Sequence, residues 1–212
     1  MRCRLVGSLD RMQPRVAGVL LAAGEGSRLG RPKALVEVGG WRLADRGVAL
    51  LRAGGAGPVV LVAGAAAVAV PGAVVVHNPA WAAGMGSSLA AGLAAVRALP
   101  GAACGAAVIA LADQPLVGPG SVRRLIAAYR AGAGIAVAAY GGRPRNPVLI
   151  ARAYWDQVLA MAGGDAGARP FLRAHGDLLT LVECGDTGRP DDIDTPEDLA
   201  RVAKLLAQQD GP

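Results

Sequence analysis

Residues 21–33 read Leu21-Ala22-Ala23-Gly24-Glu25-Gly26-Ser27-Arg28-Leu29-Gly30-Arg31-Pro32-Lys33. Gly24, Gly26 and Gly30 allow positive φ and let backbone N–H groups come close to a ligand. Arg28 and Lys33 add the full positive charge that backbone dipoles lack. A polyphosphate is the natural guest of such a loop, although a lone G-x-G more readily reads as a flexible glycine turn with solvated basic residues. Spacing separates this loop from two other phosphate binders. A P-loop needs four residues between its glycines and then Gly-Lys-Ser/Thr, and a dinucleotide loop needs G-x-G-x-x-G opening directly into a helix. Here the glycines fall as G-x-G-x-x-x-G, and Pro32 interrupts any helix.

Four further stretches carry residues with chemical potential. Leu111-Ala112-Asp113-Gln114-Pro115 ends an apolar run with a carboxylate, a hard oxygen ligand that suits magnesium; an Asp before Pro also starts turns. In Asn78-Pro79-Ala80-Trp81-Ala82-Ala83-Gly84-Met85-Gly86-Ser87-Ser88 the chain enters a helix. Free N–H groups and the hydroxyls of Ser87 and Ser88 there suit either phosphate or simple capping. Thr195-Pro196-Glu197-Asp198 has the form of a capping box, which leaves the preceding Asp192 and Asp194 without a structural reason. Tyr140-Gly141-Gly142-Arg143-Pro144-Arg145-Asn146-Pro147 groups two arginines in a turn. His77 and His175 have no paired Ser, Cys or metal-ligand set, which disfavours covalent triad chemistry.

The elements that must position these residues follow from hydrophobic pattern. Apolar runs without polar alternation at 16–22, 58–63, 73–76, 106–112 and 135–140 read as strands buried on both faces. A short strand at 148–150 and a late one at 178–183 join them. Helical spacing appears at 41–53, at 85–99 with Ser87 or Ser88 as its start, at 119–131, 154–161, 168–175 and 195–209. Strands alternating with helices predict an α/β fold, a mostly parallel sheet with helices on both faces. In such sheets ligands sit at the carboxyl ends of the strands.

Composition narrows the function classes. The 212 residues suffice for one substantial domain, and 53% are apolar but only 3% aromatic, so the core must be built from Ala, Val and Leu. The formal charge of +6 favours anionic partners. Its scattered arginines form no stripe with stacking aromatics, which argues against extended nucleic-acid binding. Cys3, Cys104 and Cys184 are odd in number and far apart, as expected of reduced thiols in the cytoplasm. The most apolar stretch, 58–76, is broken by Pro71 and glycines and reads as two strands rather than a membrane span. No signal-peptide core precedes it, so a cytoplasmic location is expected.

The run 21–33 resembles the signature Leu-Ala-Ala-Gly-x-Gly-x-Arg-x-Gly-x-Pro-Lys of the NTP transferases that build nucleotide-linked sugars and cofactors, the MobA-like family. The stretch from Asn78 to Leu89, and Gly164-Asp165-Ala166-Gly167-Ala168-Arg169, are similar to segments of the molybdenum cofactor cytidylyltransferase branch. The resemblance spans about 16–206 and implies a three-layer Rossmann-like nucleotide-diphospho-sugar transferase fold in a single domain at 16–208. Residues 1–15 are left as an N-terminal extension that need not be ordered.

The resemblance further implies a Mg2+-dependent nucleotidyltransferase that moves a nucleoside monophosphate, CMP from CTP, onto the terminal phosphate of the molybdenum-pterin cofactor. Arg28, Lys33 and Asp113 would be catalytic, with Asp113 and Asp194 on the metal. Leu21, Ala22, Ala23, Gly24, Gly26, Arg28, Lys33, Asn78, Gly84, Ser87 and Ser88 would bind the nucleotide, and Arg143, Asn146 and Asp165 the acceptor. Arg145 stands where the family has glycine. A molybdoenzyme or its maturation chaperone would be the protein partner. Three alternatives stay open: a guanylyltransferase for the same pterin, a transferase acting on another phosphorylated acceptor such as a sugar phosphate or deazaflavin precursor, and a non-catalytic carrier of the cofactor.

Overall fold

A computed structural model of the chain describes residues 14–101 and 103–209; most of the expected N-terminal extension, with Cys3, lies outside them. Strand β1 (Arg15–Leu21) is followed by a two-stranded hairpin of β2 (Glu37–Val38) and β3 (Trp41–Arg42), then helix α1 (Leu43–Ala53). Next come β4 (Val59–Ala63), β5 (Val74–His77), α2 (Met85–Ala98), β6 (Cys104–Leu111) and α3 (Pro119–Arg130). The second half adds β7 (Ile135–Tyr140), β8 (Arg143–Ala151), α4 (Trp155–Met161), α5 (Arg169–Ala174), β9 (Leu179–Glu183) and α6 (Pro196–Gln209).

The main sheet has seven strands in the order β5-β4-β1-β6-β8-β7-β9. Every strand is parallel to its fellows except β8, which runs antiparallel to both β6 and β7. Burial on both faces explains the unbroken apolar runs. In β1, Val16 and Leu20 join α1, α3 and α6 in one core, while Ala17, Val19 and Leu21 join α2, α4 and α5 in the other. Each fully buried Leu or Val contributes about 1.5–3 kcal/mol. The expected mostly parallel α/β sheet, helix-covered on both faces, is the observed architecture.

Three local readings differ. Trp41 belongs to the small hairpin, and α1 begins only at Leu43. Helix α2 starts at Met85 as expected, but neither Ser87 nor Ser88 caps it, and its N-cap is Gly84. Strand β8 covers nine residues rather than three, because Pro144 and Pro147 mask its first half from a sequence-based reading.

The chain order reverses at β1, whose neighbours are β4 and β6. Their carboxyl ends form the crevice where ligands bind in open α/β sheets. Being antiparallel, β8 delivers its own beginning, Pro144 to Asn146, to that same edge. At the far end of the chain, the capping box forms as expected. Asp198 N–H donates to Thr195 Oγ1 at 3.2 Å, and Thr195 N–H donates to Asp198 Oδ2 at 3.1 Å. The Arg201 guanidinium and the N–H of Asp194 lead the contacts that hold the Asp198 carboxyl down at about 2.

Because its folded value lies below the ordinary 3.8, that carboxylate stabilises the protein above about pH 4, and the contribution fades as pH falls toward 2. Urea midpoints should show Thr195→Ala costing about 1 kcal/mol at neutral pH. The deficit of Asp198→Asn should be present at neutral pH and shrink as pH drops from 4 toward 2 (roughly the interval between the two pKa values).

Candidate active site

Residues 21–33 leave β1 and fold back on themselves. Gly26, at φ 62°, turns the chain into a short 3-10 turn, and a Cβ there would sit 2.2 Å from the Arg31 carbonyl oxygen. The loop closes when Lys33 N–H donates to the Gly24 carbonyl at 3.2 Å. That closure aims the Lys33 side chain at the end of β6. Its Nζ donates to Asp113 Oδ2 at 2.6 Å and to Asp194 Oδ1 at 2.5 Å. Arg28 lies 3.4 Å from the other oxygen of Asp194. The structure therefore joins Arg28, Lys33, Asp113 and Asp194 in one place, although Lys33 and Asp194 are 161 positions apart along the chain.

Backbone docking holds the two aspartates together. Ala112 N–H donates to the Leu21 carbonyl at 3.1 Å, fixing the end of β6 against the end of β1, and Ile193 N–H donates to the Asp113 carbonyl at 2.9 Å. Gln114 Nε2 adds a bond to Asp192 Oδ1 at 2.9 Å. Electrostatics follow from this crowding. Burial pulls the Lys33 ammonium down, but the carboxylates of Asp113 and Asp194 outweigh it and leave the group above its usual range, firmly charged. Partial burial pushes the Asp192 carboxyl up against the pull of the Gln114 hydrogen bond, and the nearby Asp113 and Asp194 charges add to the rise.

One oxygen in this cluster has no partner. Asp113 Oδ1 is buried and accepts no hydrogen bond, whereas Oδ2 is held by Lys33. A buried carboxylate oxygen without a donor is costly unless a cation or ligand reaches it. With Asp194 nearby, the donor set fits a magnesium-type ion, which takes one or two carboxylates and completes its shell with phosphate and water. Among the described residues no group of three or more His, Cys, Asp or Glu is arranged to hold a metal alone. Phosphate oxygens would have to supply the rest.

The cluster opens into a cleft of about 1120 Å³. Its walls contain Leu21, Ala22, Ala23, Gly24, Arg28, Lys33, Gly84, Ser88, Asp113, Asn146, Asp165 and Asp194, all expected from the sequence. Gly84, at φ 100°, begins α2 where a Cβ would meet the Gly164 carbonyl carbon at 2.4 Å, which explains how the 163–167 loop comes to form a wall.

Four expected residues lie elsewhere. Asn78 is buried; its amide donates to the hydroxyls of Ser87 at 2.9 Å and Ser88 at 3.1 Å and accepts the Ala80 N–H at 3.0 Å, so it holds the loop rather than a base. Ser87 Oγ is directed to the Ala80 and Gly84 carbonyls, each at 2.8 Å. Gly26 shapes the glycine loop and is absent from the cleft walls. Arg143 pairs with Tyr140 at the tip of the β7–β8 turn and is absent from the cleft walls, while Arg145, two residues on, is among them.

The cleft also contains residues to which sequence patterns assign no role: Gln114, Asp192 and the pair Arg169 and Arg173 on α5. The four-residue spacing of that pair marks one helix face and was the available signal for it.

Comparison with known proteins agrees with this fold. The model of the MobA-like NTP transferase domain matches residues 18–178. Nicotine blue oxidoreductase from Paenarthrobacter nicotinovorans is 39% identical over 204 residues, covering 89% of this chain and 97% of the relative. The crystal structure of Rv0371c from Mycobacterium tuberculosis H37Rv superposes with a TM-score of 0.74 at 29% identity, covering 90% of this chain and 98% of that one. The same protein in complex with manganese superposes at 0.69 with 28% identity, again over 90% and 98%.

Proposed function

The chain belongs to the MobA-like NTP transferase family, and from that premise we propose that it transfers CMP from CTP to the terminal phosphate of the molybdenum-pterin cofactor, releasing pyrophosphate. The observation that carries a transfer reaction is the Lys33 ammonium between Asp113 and Asp194, beside a glycine loop and an unpartnered buried carboxylate oxygen. A phosphate with a second pKa near 6 is already ionised at neutral pH, so the attacking oxygen needs no strong general base. The difficulty is to bring anions together in line and to stabilise the charge that develops, which is positioning and electrostatics.

The residues divide this work. The glycine loop would present N–H groups to the triphosphate, and Arg28, 70% exposed at the cleft mouth, would follow the β- and γ-phosphates and the departing pyrophosphate. Lys33, less mobile at 20% exposure, would stay by the α-phosphate. Asp113 and Asp194 would hold Mg2+, which supplies Lewis-acid neutralisation of the phosphate oxygens when bound. Manganese in the related Rv0371c complex supports a divalent ion in this fold. The choice of CTP and of the molybdenum-pterin acceptor rests on the resemblance of the 78–89 and 164–169 segments to the cytidylyltransferase branch. A reduced cytoplasm suits the buried free thiols of Cys104 and Cys184, and no helix among the described residues is long and apolar enough to cross a membrane.

A panel of the four NTPs with magnesium and candidate acceptors, followed by pyrophosphate release, tests this reading. CTP with the molybdenum-pterin cofactor is expected to turn over fastest. Release with a sugar phosphate or another NTP would retain the transferase and reassign its substrates. The name of the Paenarthrobacter relative favours one reading of a different class, reduction of an organic acceptor. Consumption of a nicotinamide cofactor with no pyrophosphate under any combination would establish that reading, and cofactor binding without either reaction would mark a carrier.

A further inference from the structure

Transfer to a phosphate needs positive charge around the triphosphate and the attacking oxygen, and Arg28 and Lys33 provide it at the ends of β1 and β6. The cleft does not stop there. It continues sideways over β8 and β7 to Leu179 at the start of β9, three strand spacings or roughly 14 Å from β6. Arginines line this extension: Arg145 from β8, and Arg169 and Arg173 from α5. Arg169 and Arg173 are four residues apart and project from one side of the helix, with Leu172 between them also in the wall.

The two ends of the cleft differ in how their cations are occupied. Arg28 and Lys33 are engaged by Asp194 and Asp113. Among the described residues Arg145, Arg169 and Arg173 pair with no carboxylate, although Asp165 lies in the same wall. Arg145 and Arg169 donate only to backbone carbonyls, those of Pro144 and Asp165, each at 3.2 Å. Three guanidiniums around an apolar floor of Val137, Leu172 and Leu179 leave their forked donors free for a carboxylate or phosphate.

We propose that Arg145, Arg169 and Arg173 form a second anion subsite, and that the acceptor carries a negative group, carboxylate or phosphate, besides the phosphate that attacks. This rests on the transferase reading and deepens it. Arg145 becomes a specificity residue, and an acceptor with a neutral tail is disfavoured because it leaves the three carboxylate-free guanidiniums without the anion they would otherwise bind.

The test uses glucose 1-phosphate and glucose 1,6-bisphosphate as probes, titrated calorimetrically into the protein with magnesium and α,β-methylene CTP, which cannot transfer. The bisphosphate is expected to bind about tenfold more tightly than the monophosphate. The double variant Arg145→Gln/Arg173→Gln is expected to lose about that factor for the bisphosphate, with its affinity for the CTP analogue unchanged. Arg143→Gln, on the same turn but outside the cleft, should bind both sugars as the parent does. Equal affinity for the two sugars in the parent protein, or an equal loss in Arg143→Gln, would overturn the subsite. Failure of the CTP analogue to bind the parent would count against the transferase reading alone, because the bisphosphate titration without nucleotide still reports on the arginines.

Discussion

Replacing Asp113 by asparagine is expected to lower pyrophosphate release by roughly 10²–10³-fold while the protein stays folded. The change keeps the side-chain volume and removes only charge. Lys33 retains Asp194 at 2.5 Å, so the loss of stability should be about 1 kcal/mol or less. The loss of rate should be large because Asp113 Oδ1 is the one carboxylate oxygen here that is both buried and unpartnered among the described residues. An amide in its place offers a neutral oxygen or an N–H donor, and either would weaken the hold that Asp113 is proposed to give a divalent ion. Steady-state pyrophosphate release beside a thermal melt followed by circular dichroism separates the two effects. A folded variant with near-parental turnover would remove Asp113 from the reaction.

The second large effect is expected from Lys33→Met, which should also reduce turnover by roughly 10²–10³-fold, for a different reason. Methionine keeps the reach of the side chain and deletes the ammonium, leaving Asp113 without its ion-pair partner and Asp194 with only the exposed Arg28, at 3.4 Å. Two carboxylates joined by one ammonium repel once it is removed, so this variant should melt at a lower temperature than the parent in the absence of metal. Magnesium should then raise its melting temperature more than it raises that of the parent, since in the parent an incoming ion competes with Lys33 for the same two carboxylates. Equal magnesium-induced shifts in the two proteins would show that Lys33 does not occupy the position a metal would take.

Both predictions concern residues whose types and spacing are legible in the amino-acid sequence. The glycine loop, the aspartate after an apolar run and the aspartates before a capping box are local patterns. Each sits at the end of a strand or the start of a helix, where short-range chemistry dictates the backbone. Capping geometry at Thr195 and Asp198 matches its motif because the reciprocal bonds join groups only three residues apart. The loss of Asn78 and Ser87 from the expected binding set has the opposite origin. Their side chains are polar and near the cleft, and only the folded loop shows that each hydrogen-bonding group already has a protein partner.

The exchange of Arg143 for Arg145 makes the division plain. Alternation along a regular strand gives these two residues the same face. The β7–β8 pairing is irregular between Val137 and Ala139, however, where Val137 meets Val148 but Ala139 meets Pro144. Arg143 follows the Gly141–Gly142 turn and sits at its tip, while Arg145 stands where the regular pairing ends and lines the cleft wall. Hydrophobic runs, glycine spacing and caps are decided within a few residues, and so the amino-acid sequence by itself determined the α/β class, the glycine loop and the strand-end position of Asp113, whereas its pairing with Lys33, 80 positions away, came only with the fold. Which residues share a wall depends on strands that meet across tens of positions, on the reversed direction of β8 and on one irregular step. Tertiary structure alone decided those, because cross-strand register is an agreement between two distant segments and is encoded in neither of them separately.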